Sequence, residues 1–124
     1  MAKLIHKGKV VLTEMKYLTS MWEISKGLMF ASKKRCEKGV CMVMPTQKDV
    51  RFGSTVTMWF CFHRLEILFV NSNFEVVDKA ILRPFKNSYT PIKECIYVIE
   101  CFPGKLNKIK IGDKIKIVKL STDT

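Results

Sequence analysis

The feature that most constrains this chain is the run TMWFCFHRLEILFV at residues 57–70. It is the longest apolar stretch, it lies mid-chain and it has almost no helical rhythm. Aromatic and β-branched residues dominate it, which favours strand. At about 3.3 Å per residue, fourteen residues would make one very long strand. A break near His63-Arg64 is therefore expected. Before it, Met58, Phe60 and Phe62 alternate with Thr57, Trp59 and Cys61. Both faces are largely apolar, which predicts a strand buried on both sides. After the break, Leu65, Ile67 and Phe69 oppose Glu66, Leu68 and Val70. Arg64 and Glu66 are the odd charges in this plank, and the expectation is that the flanking segments fold onto it.

A chain of 124 residues with 48% hydrophobic content can bury one core, so a single domain spanning 1–124 is expected. No run reaches the roughly 18 apolar residues of a membrane-spanning helix. The opening MAKLIHKGKVVL has lysines but no apolar signal core, so it reads as the start of a cytoplasmic protein. The net charge of +11 is uneven: +6 in residues 1–49, zero in 50–75 and +5 in 76–124. Such an excess can attract nucleic acid or an acidic membrane surface. The simpler reading is a lysine-coated surface, and abundant Lys and Ile hint at a thermophile.

Turn and cap signals divide the remainder into short elements. Residues 3–16 read as a strand pair about Lys7-Gly8. Ser20-Met21-Trp22-Glu23 has capping-box spacing and Gly27 is a stop, predicting one short helix at 21–26 with Trp22 packed on the sheet. The basic residues 31–38 read as a loop. Residues 40–44 form a strand ended by Pro45, and 46–53 a second polar loop. Asn71-Ser72-Asn73 is a turn returning residues 74–81 as a hairpin partner. A longer loop at 83–91 precedes a strand at 94–102, in which Ile96, Val98 and Glu100 oppose Cys95, Tyr97, Ile99 and Cys101. Residues 106–111 suit a short helix or strand. The last strand, 114–120, reverses parity at Val118-Lys119-Leu120, which predicts a bulge or fraying. Many short strands with one helix describe a mainly β sandwich or barrel.

Several pieces together resemble an uncharacterised family, domain of unknown function 192. They are GLMF at 27–30, GVCMVMP at 39–45, MWFCFHRLEILFV at 58–70, Val76-Val77, Arg83-Pro84-Phe85, Val98-Ile99-Glu100 and Gly112-Asp113. The resemblance covers roughly residues 10–118 and implies a small β-sandwich of jelly-roll type. It supplies no reaction. Arg64 stands where the family usually has proline, Glu66 where it has aspartate, and Ala31 where many members have arginine.

A carboxylate inside an apolar strand must be paired or exposed. Arg64, two residues from Glu66 on the same predicted face, is its nearest candidate partner. Arg64, Glu66 and Arg83, rimmed by the 83–91 loop, form the candidate ligand-binding site. The same question applies to Glu100 and Asp78, whereas Asp113 suits a turn. His6 and His63 have no nucleophile or metal-ligand spacing, and no known catalytic motif is present. The five cysteines suit reduced thiols: Cys95 and Cys101 lie about 20 Å apart along a straight strand, Cys61 reads as core, and two thiols are favoured over a Cys36–Cys41 disulfide. No metal ligand set or cofactor is called for.

These observations favour a non-enzymatic domain that binds a small ligand or a protein partner. The alternative is a nucleic-acid-associated protein using Lys33, Lys34, Arg35, Lys110, Lys114 and Lys116, with Tyr89 or Phe85 stacking on bases. A third is an enzyme of unrecognised type using Glu66 and His63.

Overall fold

The computed structural model describes residues 1–44, 48–86 and 88–120. Pro45 and residues 46–47, expected to end one strand and begin a loop, lie outside the described residues. The elements in chain order are β1 (Ala2–His6), β2 (Lys9–Leu18), α1 (Met21–Lys26), α2 (Lys33–Lys38), β3 (Val40–Val43), β4 (Leu65–Val70), β5 (Val76–Leu82), β6 (Tyr97–Cys101) and β7 (Lys116–Lys119).

The helix read from the capping box is there. The Ser20 hydroxyl accepts from the Glu23 N–H at 3.2 Å, and the Gly27 N–H donates to Glu23 O at 2.9 Å. Its outward residue is Trp22, 83% exposed, while Ile24 and the following Leu28 pack on the sheet. The expected docking of Trp22 is thus corrected by the helical phase. A second helix, α2, replaces the expected basic loop. Ser32 caps it by accepting from the Arg35 N–H at 3.2 Å, and Gly39 ends it. Lys, Arg and Glu are good helix formers, so two caps suffice to wind the segment. Gly39 has a φ of 80°, and a Cβ there would lie 2.9 Å from the Glu100 carbonyl oxygen, so only glycine fits.

The strands form one sheet in the order β5-β4-β6-β3-β2-β1-β7. All neighbours are antiparallel except β2 and β3, a parallel pair whose connection runs through both helices. One apolar cluster gathers side chains of β1, β2, β4 and β6, including Leu4, Leu12, Leu68 and Ile99. The β1–β2 end therefore folds over the β4–β6 end and encloses this inner core. The outer strands β5 and β7 approach at one end only, through the Glu75↔Lys114 bridge and the Val76 N–H to Asp113 O bond of 2.9 Å. The barrel is not closed, and the chain is a mainly β, sandwich-like single domain. A second cluster covers the other face of β3, β4 and β6 through Met42, Ile67, Phe69 and Val98, beneath α1 and the loops.

The mid-chain run divides at its predicted break, but only its second half is strand. All six residues of β4 are buried. Residues 57–64 are a loop, which corrects the expected two-faced strand. The Met58 N–H donates to Lys86 O at 3.0 Å, and Met58 O accepts from Phe85 and Cys61. The 83–86 loop and a local turn thus take the hydrogen bonds that a sheet would need. Met58 and Cys61 are buried, whereas Trp59, Phe60 and Phe62 are exposed. Two smaller expectations also change. Residues 106–111 are turns and irregular chain rather than helix or strand, anchored by buried Leu106 and Ile109. The β1–β7 register runs without a bulge from Ile5↔Lys116 to Ala2↔Lys119.

Glu66 does not pair with Arg64. It points into the inner core at 1% exposure, accepts from the Gly104 N–H at 3.3 Å and meets Lys79 Nζ at 3.3 Å. Lys79 Nζ also donates to Leu106 O at 2.8 Å and Ile109 O at 2.9 Å. Register explains the switch: Leu68↔Lys79 and Glu66↔Ile81 place Lys79 on the Glu66 face of the β4–β5 hairpin, whereas Arg64 precedes the strand and is exposed. One cation thus ties the hairpin to the 104–109 turns. Lys79→Met should leave a buried carboxylate unpaired and lower urea-unfolding stability by about 3–5 kcal/mol; Arg64→Ala should leave the midpoint unchanged.

Candidate functional site

On the outer face of the sheet, α1 and residues 50–59 roof a cavity of about 520 Å³. Met42, Val98 and Glu100 line it from the sheet, and Ile24, Val56 and Trp59 from above. The register Met42↔Val98 and Val40↔Glu100 fixes which side chains of β3 and β6 face this way. Gly27, ending α1 with a φ of 49°, brings its backbone down to them: a Cβ there would lie 3.7 Å from Glu100 Oε1.

Glu100 is the polar centre of this cavity. It is 4% exposed, and among the described residues no group donates to its carboxylate. Burial alone pushes its carboxyl up to about 7. It contrasts with Glu66, which has a cation and an N–H, and with Asp78, which accepts from the Tyr89 hydroxyl at 2.7 Å and the Ile92 N–H at 3.0 Å. Cys61 also lines the cavity. Burial pushes its thiol up to about 12, so it stays protonated at neutral pH and is a poor nucleophile. What remains is a mainly apolar chamber, edged by Lys26 and by hydroxyl residues such as Ser54, Thr55 and Thr57, with one carboxyl able to accept from, donate to or ion-pair with a guest.

The candidates read from the sequence are dispersed. Arg64 and Arg83 are exposed and flank the Leu65↔Leu82 pair at one end of the β4–β5 hairpin. Glu66 faces the inner core, so the three do not converge. The 83–91 loop braces the cavity roof through the Val56↔Tyr89 bridge and a 2.8 Å bond between the Thr55 and Thr90 hydroxyls. Tyr89 is stacked on Phe69 at 5.7 Å, so its ring is not free to stack on a base. His63 lies 6.2 Å from the Phe102 ring, with no hydrogen bond to Glu66 among the described residues. Lys33 and Lys34 are exposed on α2, which rests on β2 and β6. Arg35 turns inward to Glu14 O at 2.9 Å and Gly39 O at 3.2 Å. Lys110, Lys114 and Lys116 lead into the outer strand β7, away from that helix. All five cysteines, Cys36 and Cys41 among them, are free and buried in the structure. Among the described residues no cluster of three His, Cys, Asp or Glu could hold a metal ion, and no helix is long and apolar enough to cross a membrane.

The sequence pattern of the family DUF192, described as "Uncharacterized ACR", matches residues 2–117. The chain belongs to this family. A UPF0127 protein of Pyrococcus horikoshii is 30% identical over 105 residues, covering 83% of this chain and 86% of that one. A UPF0127 protein of Pyrococcus furiosus is 26% identical over 114 residues, covering 90% and 93%. Both organisms are thermophilic archaea. A crystal structure of a Novosphingobium aromaticivorans protein of unknown function superposes with a TM-score of 0.78 at 21% identity, covering 93% of this chain and 82% of that one, and shows the shared fold.

Four of the seven pieces that carried the DUF192 resemblance meet at the cavity. Gly27, Leu28 and Met29 come from the first, Met42 and Met44 from the second, Trp59 and Cys61 from the aromatic run, and Val98 and Glu100 from the strand ending in glutamate. Glu100 was legible as an acid on an otherwise apolar strand sharing a face with Val98. Its lack of a partner was not legible, because that depends on what the roof omits.

Between pH 4.5 and about 7 the unfolded chain loses the Glu100 proton while the folded chain keeps it. Its contribution to stability therefore falls as pH rises through that window and is lowest above it. Glu100→Gln should remove this dependence. Urea unfolding at pH 8 should find the variant more stable by up to about 3 kcal/mol, with little difference at pH 4.

Proposed function

We propose that this DUF192 member is a non-enzymatic binding domain whose ligand is a small, mainly apolar molecule carrying one hydrogen-bond donor or amine. The observation that carries this reading is a buried carboxyl, with no donor among the described residues, at the floor of a mainly apolar chamber. Its volume falls within the roughly 300–1,000 Å³ typical of small-molecule sites, which are mostly apolar with a few placed polar groups. An unsatisfied buried polar group is costly, and a guest that donates to it recovers that cost on binding. The apolar walls contribute affinity, and the ionised Glu100 favours guests that carry a donor.

The test is a fluorescence titration with N-phenyl-1-naphthylamine, an apolar probe bearing one N–H. The native chain should bind it with enhanced emission. Glu100→Gln should alter affinity for the amine by about tenfold, the worth of roughly 1.4 kcal/mol, and leave binding of pyrene, which has no donor, unchanged. Val98→Trp, which fills the chamber, should abolish binding of both. Unchanged binding by a folded Val98→Trp protein would contradict the site.

A further inference from the structure

Beside the cavity, three loops present a cluster of aromatic rings to solvent. Phe30 stacks on Phe60 at 5.1 Å and meets Phe62 at 6.1 Å; Phe85 packs edge-on against Phe62 at 5.4 Å and Phe60 at 6.2 Å; Trp59 lies 6.5 Å from Phe60. Despite these contacts the five side chains are 44–62% exposed. Scattered exposed apolar residues need no explanation, but a contiguous group of large rings does.

The backbone is held in an unfavourable state to present them. Phe30, Phe60 and Phe85 all have positive φ, at 61°, 57° and 62°. That region is an outlier for a bulky side chain and persists only where the surroundings fix it. Here they do: the Phe30 N–H donates to Phe60 O at 2.9 Å and the Phe85 N–H to Met58 O at 3.0 Å.

The segments that supply the rings carry charge of one sign. Residues 26–35, 51–64 and 83–86, which supply the cluster, carry eight Lys/Arg and no acid; the rest of the chain carries fourteen against eleven. Arg64, Arg83 and Lys86 are exposed within three residues of Phe62 or Phe85. Arg64, Arg83 and Lys86 thus set cations beside the rings, with no acid in the segments 57–64 and 83–86.

We propose that this face docks on an anionic lipid bilayer, with the rings entering the headgroup–acyl boundary and Arg64, Arg83 and Lys86 meeting lipid phosphates. Exposed aromatics ringed by cations are the chemistry of interfacial membrane binding. Single-stranded nucleic acid also uses aromatic and basic groups, but it needs free ring faces. Here the rings pack on one another, Phe30 and Phe60 face to face, which suits insertion as a unit. Trp59 belongs both to this face and to the cavity wall, so a docked molecule would bring the cavity beside the acyl region. The docking does not rest on the ligand reading, since it needs neither Glu100 nor a guest.

The experiment is co-sedimentation of the full chain with vesicles of phosphatidylcholine alone or with one-quarter phosphatidylglycerol, at low and physiological salt. Binding should require the anionic lipid and weaken with salt. In a Trp22→Phe background, Trp59 emission should shift to the blue on binding. Phe62→Ser/Phe85→Ser should weaken sedimentation at least tenfold, and so should Arg64→Glu/Arg83→Glu, with circular dichroism confirming that each is folded. No sedimentation at low salt would overturn the proposal. So would sedimentation unaffected by loss of the rings, which is general lysine electrostatics. A solution dimer broken by the ring variants would assign the face to a second copy. Oligonucleotide binding lost in the ring variants, without vesicle binding, would assign it to bases.

Discussion

Strand β6 lies between β3 and β4 with both faces covered, so every polar side chain it carries must find a partner or remain a local cost. Glu100 finds none. Other buried acids and the buried histidine have partners: Glu66 has Lys79 and Gly104, Asp78 has Tyr89 and Ile92, and His6 Nε2 lies 2.8 Å from Asp113 Oδ2, while Arg35 Nε has no partner among the described residues. The chain that pairs these three buried polar groups leaves the Glu100 carboxyl open toward a chamber. Local violations of this kind are expected where a protein binds something.

The cavity is a consequence of topology. A parallel β2–β3 pair demands a crossover, and α1 within that crossover becomes a roof. Gly27 then sets how closely the roof descends on Glu100. The second roof is the loop at residues 50–59, braced by Tyr89 and Thr90. Because residues 57–62 leave the sheet, Trp59 can serve the cavity while its neighbours Phe60 and Phe62 face water.

Local chemistry made much of the fold legible. The capping residues around α1 and the turns at Lys7-Gly8 and Asn71-Ser72-Asn73 act over a few residues, and the hairpins follow them. The ordered motifs carried the family, and parity along β6 put Glu100 with Val98. What escaped depended on contacts distant in sequence. Residues 57–62 have strand composition, but Met58 bonds to residues 85 and 86 instead. Glu66 met a cation from the neighbouring strand, which spacing within its own strand could not suggest. The aromatic cluster joins residues 30, 60, 62 and 85, which no local pattern connects. The lysine-rich α2 resembled a loop because its charged residues hide the caps Ser32 and Gly39.

The central claim is that burial desolvates the Glu100 carboxyl, with no donor to it among the described residues. The most direct measurement is a carbon-13 NMR titration of the side-chain carboxyl in glutamate-labelled protein, with Glu100→Gln assigning the resonance. The account predicts a midpoint near 7. A midpoint in the ordinary glutamate range, about 4.3, would show Glu100 solvated or paired and would contradict it.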